Sequence, residues 1–305
     1  MIAYFIDPGS FCKEQQKGIR MNPANQPRGP SGKRTTDAFT LLELMVVIAI
    51  TALLAAILLP SLAKAKFSSQ VTACASNFRQ WGYACAAYAS ENQNGYYPSF
   101  PMTGFCGENV TDVTLGFLTN MHPYGLTAPM YFCPARTTGM GSFNDDDSQW
   151  FAHSHHHIVT YVDLSEYYVW FDSEDGYDFI RLDNICFWVP RLDPAMNPPN
   201  YFPWSPGLSN PNDSYDPQPG TYNPIDIANG GWPLRTSDPA AAKQPVITDY
   251  CLANGGGIVP GTGHWFNGTF TGVNAGFADG RVEMHPPALV TWHMSPGWVD
   301  QAWMY

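Results

Sequence analysis

Residues 37–66 read DAFTLLELMVVIAITALLAAILLPSLAKAK, and from Phe39 to Leu59 every position is apolar except Thr40, Glu43 and Thr51. Those 21 residues would form a helix about 31 Å long at roughly 1.5 Å per residue, which matches a bilayer core of about 30 Å. The stretch is therefore expected to span a membrane. A carboxylate at that depth is costly, so Glu43 needs a compensating partner.

Working outward, Lys17, Arg20, Arg28, Lys33 and Arg34 precede the span, while Lys64 and Lys66 follow it. By the positive-inside rule the N-terminus stays cytoplasmic and the body is exported. Residues 1–38 hold six basic and three acidic residues, which leaves nine basic against 23 acidic in the rest of the 305-residue chain. A body this acidic does not suit a nucleic-acid partner, whose phosphates are neutralised by clustered Lys and Arg. The apolar fraction of 45% supports a packed core. An ordinary secretory signal would close on a small-residue cleavage site. Glu43 inside the apolar run, and the helix that continues beyond it, argue against that reading.

Pro60 lacks an N–H and is expected to kink the helix. Beyond it Phe67, Val71, Cys74, Phe78, Trp81, Cys85 and Tyr88 fall at alternating spacings of four and three, a single apolar stripe that packs on a sheet. Asn94-Gly95 and Pro98 supply the stop. Downstream, HHHIVTYVDL, EYYVWFD, FIRLDNICFWV, PVITDYCLA and NAGFADGRVEMH are short β-prone runs. Asp279-Gly280 reads as a hairpin turn in which both central residues can take positive φ. Eleven prolines from Pro190 to Pro233 keep residues 190–233 out of sheet interiors. The expected fold is α+β: residues 39–59 as a transmembrane and assembly helix, 60–93 as its amphipathic continuation, and 94–305 as a β-rich antiparallel head with the Pro-rich excursion.

Residues 38–66 resemble the N-terminus of type IV pilin-like prepilins and type II secretion pseudopilins. The resemblance implies that a basic leader, residues 1–38, is removed by prepilin peptidase between Ala38 and Phe39. It further implies that Phe39 becomes the methylated terminus and that Glu43 is the assembly acid, paired with the terminal ammonium of a neighbouring subunit. The family prefers Gly where this chain has Ala38. Met21 offers a second start, since MNPANQPRGPSGKRTTDA by itself has the short basic character of such leaders. CASNFRQWGYACAAYASENQNGYYP, YFCPAR and PVITDY, GHWF and NAGFADGRVEMHPP are similar to segments of a large bacterial subfamily. Its C-terminal signature is a His, nine residues and Asp-Gly. Here 14 residues separate His264 from Asp279-Gly280, with an insertion around NGTFTG.

The resemblance also implies how the cysteines pair. Of seven, Cys12 lies in the leader, and an exported head permits disulfides. The family places a helix Cys beside a Cys-Pro, which makes Cys74 and Cys133 the first candidate disulfide, with free buried thiols as the alternative. The implied partners are prepilin peptidase, other pilin-like subunits, the inner membrane and a secretion or pilus assembly platform. The implied location is the bacterial inner membrane, single-pass, with the head periplasmic or on an extracellular filament.

Sites with chemistry of their own are few. DSEDGYD at 172–178 offers Asp172, Glu174, Asp175 and Asp178 for calcium, which some major pseudopilins bind in the head, but it lacks EF-hand spacing. His155 and His157 would share a face if their segment were a strand. Without a paired Cys or Glu motif it reads as an exposed His run. No nucleophile elbow, phosphate loop or dinucleotide fingerprint is present, so no enzyme is expected. A tethered module binding surface glycans is the alternative, with NYFPWSP and GWPL as its aromatic surface.

Overall fold

The structure is a computed structural model and describes residues 40–92, 94–102, 110–136, 142–174, 179–182, 184–193, 200–202, 232–254, 257–290, 292–294 and 301–304. It divides into two compact units, Met1–Leu54 and Ala55–Tyr305, and helix α1 (Leu41–Glu91) crosses the division. In the first unit α1 is apolar on every side apart from Glu43 and Thr51, and all its residues are exposed. Such a helix belongs in an apolar surround, and this one is long and apolar enough to cross a membrane. Pro60 lies inside α1, which runs on without a break. The loss of one backbone hydrogen bond leaves the turns on either side intact.

In the second unit α1 is followed by β1 (Asp112–Thr114), α2 (Phe117–Met121), α3 (Phe143–Ser154) and α4 (Tyr161–Glu174). The strands β2 (Phe179–Arg181), β3 (Ile185–Phe187), β4 (Arg191–Asp193), β5 (Asn200–Phe202), β6 (Ile247–Asp249), β7 (Leu252–Asn254) and β8 (Gly257–Ile258) come next. The chain then forms β9 (His264–Phe266), β10 (Thr269–Gly276), β11 (Val282–His285), β12 (Trp292–Met294) and β13 (Gln301–Met304). The central sheet runs β11-β10-β6-β3, with β9 pairing the first part of β10. A second sheet runs β12-β13-β7-β8, and β1-β2 and β4-β5 are two-stranded. All strand pairings among the described residues are antiparallel, in keeping with an α+β architecture.

The stripe on α1 is the core seam. Cys74, Phe78, Trp81 and Cys85 are buried and face the central sheet together with Ala84 and Ala89. Strand alternation sorts that sheet into two faces. Ile185, Phe187 and Ile247 lie with the α1 cluster, while Cys186, Val273 and Ala275 join Trp188, Trp232 and Cys251 in a second cluster. The Trp188 indole N–H donates to Thr248 Oγ1 at 2.9 Å on that second face. Because both faces are covered, β3 and β6 are buried throughout.

Three expectations need correction. EYYVWFD and the end of HHHIVTYVDL form α4, not strands. Leu164, Tyr167 and Tyr168 are buried at helical spacing, and Thr160 and Asp163 close the N-terminal turn reciprocally at 2.7 and 3.3 Å. This local cap and the tertiary burial outweigh the β propensity of the aromatic side chains. The His run is likewise not a strand: His155 ends α3 in the left-handed conformation, and His157 Nδ1 meets Asp147 Oδ2 at 2.8 Å. In the hairpin between β10 and β11 only Gly280 has positive φ, and its N–H bonds the Phe277 carbonyl at 3.0 Å. The loop is thus longer than a two-residue turn.

That loop also explains Gly82. A Cβ at Gly82 would run into the Phe277 carbonyl oxygen, and one at Gly280 into the Tyr83 ring. Helix and hairpin approach to backbone contact only because both side chains are absent. At an exposed helical site Gly→Ala stabilises by about 1 kcal/mol. Gly82→Ala is expected to have the opposite sign, destabilising the head by about 1–3 kcal/mol, measured as a lowered denaturation midpoint of the purified chain.

Candidate functional site

Two places concentrate polar groups in apolar surroundings. The first is the start of α1. The Thr40 N–H and hydroxyl both donate to Glu43 Oε2 at 2.9 Å, and the Glu43 N–H donates to Thr40 Oγ1 at 3.1 Å. This is a reciprocal capping box, Thr-x-x-Glu, which satisfies backbone donors that the first turn of any helix leaves orphaned. Glu43 therefore has a local role that its rarity in an apolar run does not reveal. Ala38 and Phe39, the expected processing residues, lie outside the described residues.

The second place is in the head, under α1. Cys74 comes from α1, Cys133 from the Cys-Pro turn, Asp249 from the end of β6 and His264 from the start of β9. All four are buried, and their ligating atoms lie within 4.8 Å of one another. The Cys74 thiol donates to Asp249 Oδ1 at 3.1 Å, and His264 Nε2 stands 3.0 Å from Asp249 Oδ2 and 3.2 Å from Cys133 Sγ. The Asn274 N–H also donates to Asp249 Oδ2, at 2.7 Å.

Burial alone would discharge both Asp249 and His264. Each holds the other ionised, so that the Asp249 carboxyl lies below the usual carboxylate range and the imidazole is raised to about 11. Burial, reinforced by Cys133, pushes the Cys74 thiol up. Against its own burial, the bonds from Cys74 and His264 lower Cys133.

Several elements hold this cluster in place. The Trp81 indole N–H donates to the Met130 carbonyl at 2.9 Å and Asn77 Nδ2 to the Phe132 carbonyl at 3.4 Å, so α1 fixes the segment leading to Cys133. The Asn274 carboxamide donates to the Val71 carbonyl at 3.2 Å, one turn before Cys74. Across the β9-β10 ladder His264 lies opposite Gly272, at an irregularity in the register.

The sequence-derived candidates are thus distributed unevenly. Cys74 and Cys133, the expected disulfide, are brought side by side as two free thiols. His264 joins them, whereas Asp279-Gly280 sits in the hairpin against Tyr83, nine residues further along α1. The Asp279 carboxylate accepts the Arg281 N–H at 2.9 Å, a turn-forming role. Asp172 and Glu174 belong to the last turn of α4, and Asp175 and Asp178 lie outside the described residues. Asp249 was not a sequence candidate, although DYC in PVITDYCLA places an acid within a buried strand, which is itself a signal.

Residues 33–59 match the protein family described as Prokaryotic N-terminal methylation motif. With the long apolar helix that begins inside the matched segment, this fits a prepilin-like protein. No curated protein and no solved structure matches the chain.

The capping box is separable from the charge of Glu43. In the full chain in detergent micelles, Thr40→Ala is expected to speed amide hydrogen exchange in the first turn of α1. Glu43→Gln keeps an oxygen acceptor and is expected to leave that exchange close to the unmodified rate, as read by mass spectrometry of the N-terminal peptides.

Proposed function

We propose that the chain is a structural subunit of a type II secretion or type IV pilus-like filament. Prepilin peptidase cuts between Ala38 and Phe39, the new terminus is N-methylated, and residues 39–59 hold the subunit in the inner membrane before assembly. The observation that carries this reading is the coincidence of the methylation motif at 33–59 with the exposed, apolar first part of α1.

The physical case concerns Glu43. In the bilayer and in a filament core alike, α1 is surrounded by apolar groups, so moving from one to the other brings little hydrophobic gain. A charge pair is different. Among the described residues Glu43 Oε2 is occupied by Thr40 and Oε1 takes no hydrogen bond. Cleavage would create an ammonium at Phe39, and the same group on a neighbouring subunit could meet Oε1. Two charges that are each expensive alone then compensate each other and set the register of the subunits. The basic residues before the span place the N-terminus in the cytoplasm and the acidic head outside. Such a subunit requires no catalysis of its head.

Intact mass and N-terminal sequencing of the protein from native membranes test the reading. The expected chain starts at N-methylated Phe39 and is missing from a strain without prepilin peptidase. A chain starting at Met1 or Met21 in both strains would mean a static anchor, and one starting near Lys66 would mean ordinary signal cleavage. Glu43→Ala and Glu43→Gln are both expected to be processed normally yet to fall at least about tenfold in sheared filament fractions, the loss that corresponds to about 1.4 kcal/mol of assembly energy. Equal incorporation of Glu43→Gln would remove the charge pair from the mechanism.

A further inference from the structure

The geometry points to a metal site in the head: Cys74, Cys133, Asp249 and His264 form a closed four-ligand site for a thiophilic divalent cation, zinc foremost. Two thiolates, an imidazole and a carboxylate are the donor set of tetrahedral zinc. In such a site, bonds of about 2.0–2.3 Å put neighbouring ligand atoms roughly 3.3–3.8 Å apart. The short separations here are 3.0 Å from His264 Nε2 to Asp249 Oδ2, 3.1 Å from Cys74 Sγ to the other oxygen, Asp249 Oδ1, and 3.2 Å from His264 Nε2 to Cys133 Sγ. The four ligand atoms all lie within 4.8 Å of one another, so seating the ion takes a few tenths of an ångström of opening at the short contacts and up to about 1 Å of closing at the longest.

Proton counting supports the same conclusion. Nε2 of an imidazole carries at most one hydrogen, yet His264 Nε2 faces two acceptors, Asp249 Oδ2 and Cys133 Sγ. One proton cannot serve both well, whereas a cation at the centre serves both along with Cys74. His264 Nδ1 is buried and finds no hydrogen-bond partner among the described residues, so hydrogen bonding alone leaves the ring undersatisfied. The carboxylate, by contrast, is already oriented, since the Asn274 N–H fixes Oδ2 from behind. Such support of a ligand by its neighbours is usual around bound metals.

Binding would displace protons from both thiols and from the imidazolium, exchanging them for the ion with no change of oxidation state. With all four positions supplied by the protein and buried, the site is structural and has no open position for substrate. Its effect is mechanical. The ligands come from α1, the Cys-Pro turn, β6 and β9, so one ion would fasten the helix to three separate parts of the head. This conclusion does not depend on the filament reading.

The test uses the full chain, purified in detergent without chelator. About one zinc per chain is expected by elemental analysis, falling to background in Cys133→Ser and in His264→Asn. Cobalt(II) added to chelator-stripped protein should give the intense visible bands of a tetrahedral site together with sulfur-to-cobalt charge transfer. That measurement uses the unaltered chain, so it stands even if the variants fail to fold. Cys74 and Cys133 should resist alkylation until chelator is added. A chain about 2 Da lighter with Cys74 joined to Cys133 would overturn the proposal in favour of a disulfide. Freely alkylated thiols with no bound metal and no cobalt spectrum would overturn it as well.

Discussion

The close approach of α1 to the central sheet is the constraint on which the head depends. It is set by where side chains are missing. Gly82 admits the Phe277 carbonyl, and a Cβ on Gly276 would stand 3.0 Å from the Cβ of Phe78. With the backbones this near, Trp81 reaches the Met130 carbonyl and Asn274 reaches Val71. The same proximity carries Cys74 to the carboxylate of Asp249 on β6. A larger residue at Gly82 would lift the helix off the hairpin and draw the polar cluster apart. Packing and polar chemistry in this head are therefore one problem, solved at backbone distance.

Charges in apolar surroundings recur along the chain, and each is compensated according to what is nearby. Glu43, in the exposed apolar unit, uses the two donors of Thr40. Arg191, fully buried in the head, donates from Nη1 to the carbonyls of Phe187 and Val189 at 2.7 and 2.9 Å. Asp249 has a backbone N–H, a thiol and an imidazole around it. Backbone carbonyls suit the arginine because carbonyls at chain ends and bends need donors themselves. A carboxylate beside two thiols and a histidine is another matter, since the single hydrogen on His264 Nε2 faces two acceptors, Asp249 Oδ2 and Cys133 Sγ. That is why this cluster, and not Arg191, calls for an ion.

What could be read from the sequence followed the range of the physics involved. The α1 stripe, its stop after Glu91 and the β10-β11 hairpin rest on local periodicity and turn chemistry, and the structure carries all three. Helix α4 was obscured because Tyr, Val, Trp and Phe favour strands when judged one by one. The information that would have identified it was Thr160-x-x-Asp163 followed by apolar residues at 164, 167, 168 and 171, a cap and a helical spacing read together. Thr40-x-x-Glu43 is the same pattern, obscured by the apolar run in which the acid stands out as a charge. As a set of four the cluster has no signature in the sequence. Its members are 59, 116 and 15 positions apart in sequence, far from any fixed metal-binding spacing, and only the topology of the sheet assembles them.

The spacing between His264 and Asp279-Gly280 follows from the same topology. Asn267 and Gly268, both at positive φ, form a two-residue turn between β9 and β10, and His264 pairs across the ladder with Gly272. Residues 265–271 are thus an excursion that leaves the sheet position of His264 and returns opposite it. Such a hairpin can lengthen or shorten by pairs of residues without moving its base. His264 and Asp279-Gly280 are held independently, the first by Asp249 in the core and the second by Tyr83 and Gly82 on α1. The 14 residues between them are therefore accounted for by the β9-β10 hairpin and the run of β10 back to α1. At the irregularity between Phe270 and Gly272, β10 carries one residue more than β9 across the ladder.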